Sequence, residues 1–422
     1  MDGFFSPDAF APTKVETPLR ANCDACSLFR TCKTPKMPVD GEGRKGILIV
    51  SERPGQDEDT EGKPFVGPTG RDLKSTLRKY GIEVRRDCWL YNAVICKPPE
   101  STPANAVDHC RPNLIRTIKE LNPSTIILLG HDAVRSLIGW LWKPKVGPIE
   151  RWVGWKIPAR QINSWICPTY QPASFFYHGR DKSKEDKDPV KRMDYERHLT
   201  EAVQLQGRPW PDGPPDYEKE IECIHSASEA AERIKKYTGG TIVFDLETNM
   251  KKPHHRLSEI VTCSICWEGI ETIAFPWYGP VLPEMKRLLL DSRVTKRGTN
   301  IKFEHNWIRE KLGIEVRGWD HCTMLTAHTL DPRGGKEGGE RKDQSGITGL
   351  KFQAFCLLGM PDYNSHIEPY LHSTDKGGYA INRIRELDMG QLLRYNGFDS
   401  RLEWEVARIQ KERLRRANTD RS

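Results

Sequence analysis

The chain has 422 residues, 37% of them hydrophobic and 29% charged, with a formal net charge of +7. That length exceeds one ordinary core and suits two domains of roughly 200 residues each. No apolar run is long enough to cross a bilayer. The first twenty residues carry Asp2, Asp8 and Glu16 and do not read as a secretory signal, so a cytoplasmic protein without a membrane partner is expected. The positive balance suits a polyanionic partner, because each Lys or Arg near a phosphate releases condensed counterions. Twelve cysteines are too sparse for a secreted disulfide scaffold, and in a reducing compartment clustered thiols more often hold metal.

From Gly46 onward, short apolar strands alternate with helical patterns. Strands are predicted over 47–50, 89–94, 125–129 and 165–169, and helices over 71–80, 104–121, 132–140 and 189–206. This rhythm predicts a parallel sheet covered by helices on both faces, a three-layer α/β/α domain over residues 1–206. The stretch 207–216, Gly-Arg-Pro-Trp-Pro-Asp-Gly-Pro-Pro-Asp, reads as a linker. Its prolines lack amide donors and its glycines add backbone entropy. A second α/β domain is placed over 217–422. It opens with strands over 241–247, 259–267 and 272–275, whose short connections favour antiparallel pairing. Residues 333–346, rich in Gly and mixed charge, are expected to form a mobile excursion.

Cys23-Asp-Ala-Cys26 lies in a polar segment, Cys96 follows a predicted strand and Cys110 falls inside a predicted helix. A CxxC brings two sulfurs into chelating range, and two distant cysteines can close a site for zinc or for an iron-sulfur cluster. Spacing does not choose between them. Cys32 and Cys88 are expected to be core or surface thiols.

Between these cysteines run Ser51-Glu-Arg-Pro-Gly-Gln-Asp-Glu-Asp-Thr-Glu-Gly-Lys-Pro-Phe-Val-Gly67 and Asn92-Ala-Val-Ile-Cys96-Lys-Pro-Pro99. Together with both cysteine pairs, these segments resemble the family-4 uracil-DNA glycosylases, over about the first 200 residues. The resemblance implies a structural 4Fe-4S cluster on Cys23, Cys26, Cys96 and Cys110. It also implies that Phe65 stacks on a flipped base, that Asn92 reads uracil, and that Glu52 with the Pro54-Gly55 turn forms the first pocket loop. Two departures stand out. Gln171-Pro172-Ala173-Ser174 replaces the family's His-Pro-Ser stretch, and an amide offers no positive charge to a departing uracil anion; losing one such donor costs about 2.7 to 4 kcal/mol. Arg53 stands where the family keeps a small residue and Ser51 where it often has glycine, so Arg53 either fills the pocket or contacts phosphate. Uracil excision is therefore expected to be weak or absent, with the domain kept for DNA binding or scaffolding.

In the second half, Thr241-Ile-Val-Phe-Asp-Leu-Glu-Thr248 places Asp245 and Glu247 two apart on a predicted strand, so both point from one face. Tyr395-Asn-Gly-Phe-Asp399 lies in a helical pattern that brings its phenol and carboxylate to one side. Between them, Gly298-Thr-Asn-Ile-Lys-Phe-Glu-His-Asn306 adds Glu304. Acids arranged in this way can bridge two divalent cations that activate water and neutralise a scissile phosphate, with Tyr395 orienting the water.

This set resembles the DEDDy proofreading exonucleases, above all the exonuclease domain of family A DNA polymerases, over roughly 221–409. The segment from Trp319 to Pro332 also looks like the one that follows the family's second motif. The resemblance implies a ribonuclease-H-like fold, two Mg or Mn ions, and removal of nucleotides from a free DNA 3' end. Where the family has aspartate this chain has Glu304, longer by a methylene, so a weakened second metal or a preference for Mn is expected.

Cys263 and Cys266 form a second CxxC, but an odd separation on a strand sends them to opposite faces, and a structural role is expected. His254 and His255, beside Lys251 and Lys252, read as a polar turn. Arg408, Lys411, Arg413, Arg415 and Arg416 read as a solvated helix face that could also track DNA. The sequence ends 23 residues after Asp399, whereas family A polymerases continue into a polymerase domain. The expectation is an exonuclease subunit beside a separately encoded DNA polymerase, in a phage-like replication system within a bacterial host cytoplasm. A bifunctional glycosylase/exonuclease repair enzyme and a non-enzymatic DNA-binding adaptor are the alternatives.

Overall fold

The computed structural model describes residues 21–176, 188–269, 271–331, 333, 346–373, 375 and 377–419. The chain divides into two compact units, Met1–Pro214 with Gly359–Asp362, and Pro215–Leu358 with Tyr363–Ser422. The division falls inside the proline-rich stretch. That stretch does not hang free: Arg208 donates to the carbonyls of Asn163 and Asn122, and Trp210 Nε1 donates to the Pro158 carbonyl at 3.0 Å. The expected excursion over 333–346 lies outside the described residues except at its two ends.

In the first unit five strands, β1 (Ile47–Ser51), β2 (Cys88–Asn92), β3 (Thr125–Leu129), β4 (Ile157–Ala159) and β5 (Ser164–Thr169), form a sheet in the order β2-β1-β3-β5-β4. Every residue of β1 and of β3 is buried, as central parallel strands covered on both faces require. The sheet is not wholly parallel as expected, because β4 pairs antiparallel with β5. Pro158 has no amide to donate, which suits an edge strand, and Asn163, at φ +47°, helps turn the chain back into β5. The four longer helices fall where the apolar period predicted them, at Pro68–Arg78, Ala106–Leu121, His131–Leu141 and Pro189–Val203. The register sets Ser51 opposite Asn92, so both stand at the carboxyl edge of the sheet, where open α/β folds build their sites.

The second unit has six strands, β6 (Ile221–Cys223), β7 (Thr241–Thr248), β8 (Ile260–Trp267), β9 (Glu271–Pro276), β10 (Thr295–Gly298) and β11 (Trp319–Cys322), ordered β11-β10-β7-β8-β9-β6. β7, β8 and β9 form the expected antiparallel meander, while β10 and β11 continue parallel to β7. This is the ribonuclease-H-like arrangement. Phe244, Phe275, Trp307 and Leu288 fill the core on one side. The long helix Met389–Thr419 lies against β6, β7, β8 and β9. Gly397 permits that approach, since a Cβ there would collide with Ile221 of β6. No helix among the described residues is long and apolar enough to cross a membrane.

Candidate functional sites

In the second unit Asp245 and Glu247 project from β7, and Asp399 meets them from the long helix. One ligand oxygen of each lies within 4.8 Å of the other two. Removal from water is the first cost of this crowding and mutual repulsion the second: Asp245 is pushed up to about 7 by burial and then by Asp399, and Glu247 well above its usual range by burial and by both neighbours. The Asn396 amide donates to Asp245 Oδ2 at 2.7 Å. Asp399 receives the Tyr363 hydroxyl at 2.7 Å and an ion pair from Lys351. The same ammonium stands over the rings of Tyr363 and Tyr395, 4.9 and 4.7 Å from their centroids. Tyr395 is itself buried, and its phenol is pushed up by burial and then by Asp399.

Glu304, on the helix Lys302–Leu312, is buried but stands outside the tight trio. Burial, then the charge of Asp245, raises its carboxyl well above the usual value, and its Oε2 has no hydrogen-bond partner. Sequence reasoning did not reach Lys351, Tyr363 or Asn396. Nor did it reach Glu403, although its spacing of four from Asp399 on a helix is a visible signal. Cys263 and Cys266 are both fully buried in β8. His254 pairs with Glu310 at 3.1 Å. On the C-terminal helix, Arg408 pairs with Glu405, Lys411 with Asp320 and Arg416 with Glu412.

In the first unit Cys23, Cys26, Cys96 and Cys110 line one cavity together with Leu28, Phe29, Val94 and Ile95. The Lys36 amide donates to Cys96 Sγ at 3.2 Å and the Asn113 side chain to Cys110 Sγ at 3.7 Å. Burial pushes the Cys96 thiol up to about 12. Among the described residues no three of these sulfurs lie within 4.8 Å of one another. A single zinc, with bonds of about 2.3 Å, would hold every pair within about 4.6 Å, so the cavity suits a larger inorganic body. Cys32, expected as a spare thiol, sits beside Cys96, whereas Cys88 is buried in β2.

The pocket loop is tied by carboxylates. Glu58 accepts from the Gly55 and Gly67 amides at 3.0 and 2.8 Å and so closes the loop at both ends. Asp59 accepts from the Lys33 and Thr34 amides at 3.1 and 2.8 Å, joining that loop to the segment that follows Cys32. Glu52 accepts the His131 amide at 2.8 Å, at the start of a helix, and burial then Asp132 raise its carboxyl. Phe65 is buried in the core at φ +58°, a left-handed conformation that side chains seldom adopt. The Phe65 carbonyl crowds Gly70 so closely that no Cβ would fit. Asn92 is 3% exposed, with its amide 4.0 Å from the Met37 sulfur.

Residues 38–193 match the model of the uracil DNA glycosylase superfamily. A type-4 uracil-DNA glycosylase of Pyrobaculum aerophilum is 35% identical over 158 residues, covering 36% of this chain and 79% of that protein. The chain belongs to the uracil-DNA glycosylase superfamily. A second type-4 uracil-DNA glycosylase, of Archaeoglobus fulgidus, is 31% identical over 202 residues, covering 45% of this chain and 91% of its own length. Among solved structures, Brucella melitensis NrnC covers 47% of this chain and 81% of its own, at 15% identity and a TM-score of 0.32. That likeness is distant, and the chemistry of the second unit rests on its own residues.

Within the glycosylase unit the two departures have local partners. Gln171 and Ser51 hydrogen-bond to each other, with side-chain distances of 3.1 and 3.3 Å. Arg53 donates to Thr102 Oγ1 at 2.6 Å and lies 3.8 Å from Asp132.

Proposed function

We propose that the second unit is a two-metal 3'-5' exodeoxyribonuclease, carried on a glycosylase-family unit that binds DNA through an iron-sulfur-stabilised fold and excises uracil weakly or not at all. The observation that carries the nuclease reading is the convergence of Asp245, Glu247 and Asp399 oxygens within 4.8 Å, with Asp399 buried and the other two half-buried. Three carboxylates forced so close need positive charge, and hard divalent cations supply it with oxygen ligands. When bound, such ions lower the pKa of a coordinated water and neutralise charge on the phosphate.

The residues of the chain do the remaining work. Asn396 fixes the rotamer of Asp245 through its hydrogen bond to Oδ2. Tyr395, held by burial and by the ammonium above its ring, presents its hydroxyl to orient the attacking water. Tyr363 and Lys351 hold Asp399 in place. DNA is the proposed substrate because the partner unit in the same chain belongs to a DNA glycosylase superfamily.

In the glycosylase unit the four thiols and their apolar neighbours suit a 4Fe-4S cluster with a structural role. Weak excision is supported by Gln171, which is engaged with Ser51 and carries no charge. A 5'-labelled oligonucleotide incubated with Mn, Mg or EDTA tests the nuclease. Stepwise shortening that needs the metal supports it, and an intact substrate under all three conditions rejects it. A uracil-containing strand in the same series, scored for alkali-labile breaks, tests excision.

A further inference from the structure

A cavity of about 300 Å³ opens in the second unit where β8 begins and β9 ends, and its lining includes Val261, Pro276, Trp277, Tyr278, Lys311 and Arg385. Ligand sites begin near this volume. Tyr278 is 58% exposed and makes no ring contact among the described residues. Trp277 is 9% exposed, and among the described residues its indole N–H meets no acceptor. The Lys311 ammonium bonds to the neutral Ser258 hydroxyl at 2.5 Å and stands 5.8 Å from the centroid of the Trp307 ring. Arg385 pairs at 2.7 Å with Glu259, the one acid in the lining. Two cations against one carboxylate leave the wall net positive.

Strand register sets this cavity close to the three acids. Glu247 of β7 lies opposite Thr262 of β8, and Thr262 lies opposite Pro276 of β9. Neighbouring strands are about 4.8 Å apart, so two steps along this row separate Glu247 from Pro276 by about 10 Å. The pairing of β7 with β8 shifts just past Glu247, from Thr262 to Ile260, so Val261 is an extra residue in the ladder. Such a bulge re-aims side chains. Val261 lines the cavity and also joins the apolar cluster that contains Tyr395. Met389, the first residue of the long helix that carries Tyr395 and Asp399, lines it too.

An exposed ring, donors short of acceptors and a positive balance fit one chemistry together. Aromatic faces stack on any base, and lysines meet backbone phosphates. A purely apolar ligand would leave the charges of the wall unanswered, and a simple anion would leave the rings idle.

We propose that this cavity is a second nucleotide site of the nuclease unit. It seats an unpaired nucleotide of the substrate strand, with the base on Tyr278 and a phosphate at Lys311, while the 3' end lies at the three acids. Stacked nucleotides rise by about 3.4 Å each, so about three steps span the distance and a dinucleotide is too short to reach both places. This inference rests on the metal-dependent nuclease reading of the neighbouring acids and adds to it a grip on the strand that is indifferent to sequence.

Digestion of 5'-labelled single strands by the full-length protein with Mn tests it, comparing a dinucleotide with a strand of about ten nucleotides, within the usual span of single-strand sites. The unmodified protein should show the lower KM on the longer strand. Tyr278→Ala should raise that KM roughly tenfold, the effect of losing one stacked base, and leave the KM of the dinucleotide as it was. Lys311→Gln should raise KM for the longer strand as well, and reduce the slope of log KM against log salt by about 0.7, the share of one phosphate on a single strand. Should Lys311→Gln not fold by circular dichroism, Tyr278→Ala decides alone, because its exposed ring supports no core. KM unaltered for the longer strand in Tyr278→Ala would overturn the second site while leaving the three acids intact. Weaker inhibition by free deoxynucleoside monophosphate, with KM for strands unaltered, would give the cavity to the released product and overturn the strand contact. No metal-dependent digestion by the unmodified protein would overturn the nuclease reading, and this site with it.

Discussion

The two units treat their buried acids in opposite ways. In the glycosylase unit Glu58 receives two backbone amides, Asp59 two more, and Glu52 the amide at a helix start. Even the replaced pocket residue Gln171 has settled against Ser51. In the second unit three carboxylates crowd one another, and Glu304 and Glu403 each keep an oxygen with no partner. Stability alone would not leave buried carboxylates in that state, because an unpaired buried charge is among the costliest features a fold can carry. The contrast teaches where chemistry is to be sought. An acid satisfied by amides is a structural tie, and an acid left short of partners is a place for a cation.

The largest effect should come from removing the shared acid of the unfinished site. Asp245→Ala takes away a ligand whose ion is worth several kcal/mol of charge stabilisation, so release of nucleotides from a 3'-labelled strand should fall by roughly 10³-fold. Unchanged digestion would break the contrast, since the crowded acids would then be idle. The corresponding cut in the other unit is Cys110→Ser. The purified protein should lose the brown colour that the proposed cluster would give it and melt earlier, while Asp245-dependent digestion persists; a colour that survives this change would place the cluster on other thiols.

Much of this contrast could be read from the amino acids, and the limits have physical causes. β1 and β3 announced themselves as unbroken apolar runs, and Asp245 with Glu247 as a period-two pair on a strand. β4 was missed because three residues around a proline carry no period of their own. Lys351 and Tyr363 were missed because their segments read only as helix and loop, and what brings them to Asp399 is tertiary packing. Cys32 looked like a spare thiol because its neighbour Cys96 is 64 residues away in sequence. Glu304 was grouped with the other acids from motif order, and it lies outside the three whose oxygens stand within 4.8 Å of one another.

Two single changes sharpen the contrast at intermediate size. Tyr395→Phe deletes only the hydroxyl that orients the water, so the turnover rate should drop by roughly 10²-fold, with the manganese stoichiometry unaltered. A loss of bound ions instead would make the tyrosine a structural support. Gln171→His offers the tied-up pocket of the first unit a chargeable donor. If the missing charge limits excision, alkali-labile breaks in uracil-containing single strands should rise by up to about 10²-fold. No gain would shift the cause to Arg53 and Ser51.

The smallest effect is a pH dependence confined to the second unit without its ions. Asp245 is raised to about 7 and Glu403 to about 8, each by burial first and by neighbouring acids next. A folded carboxyl with a raised pKa binds its proton more tightly than the unfolded chain does, so its contribution is full below the unfolded value and is lost as pH rises through the folded one. In EDTA the melting temperature of the second unit should therefore fall as pH climbs from about 4, the ordinary carboxylate range, towards 7 to 8, and level off above. Bound manganese should reverse the slope, because the ions need the same oxygens deprotonated and their affinity grows over that window. Glu403→Gln should flatten the upper part of the fall, since it removes the group that titrates last. A melting temperature in EDTA that is level from pH 6 to pH 8.5 would mean that these acids are not held as close, or as dry, as the geometry places them.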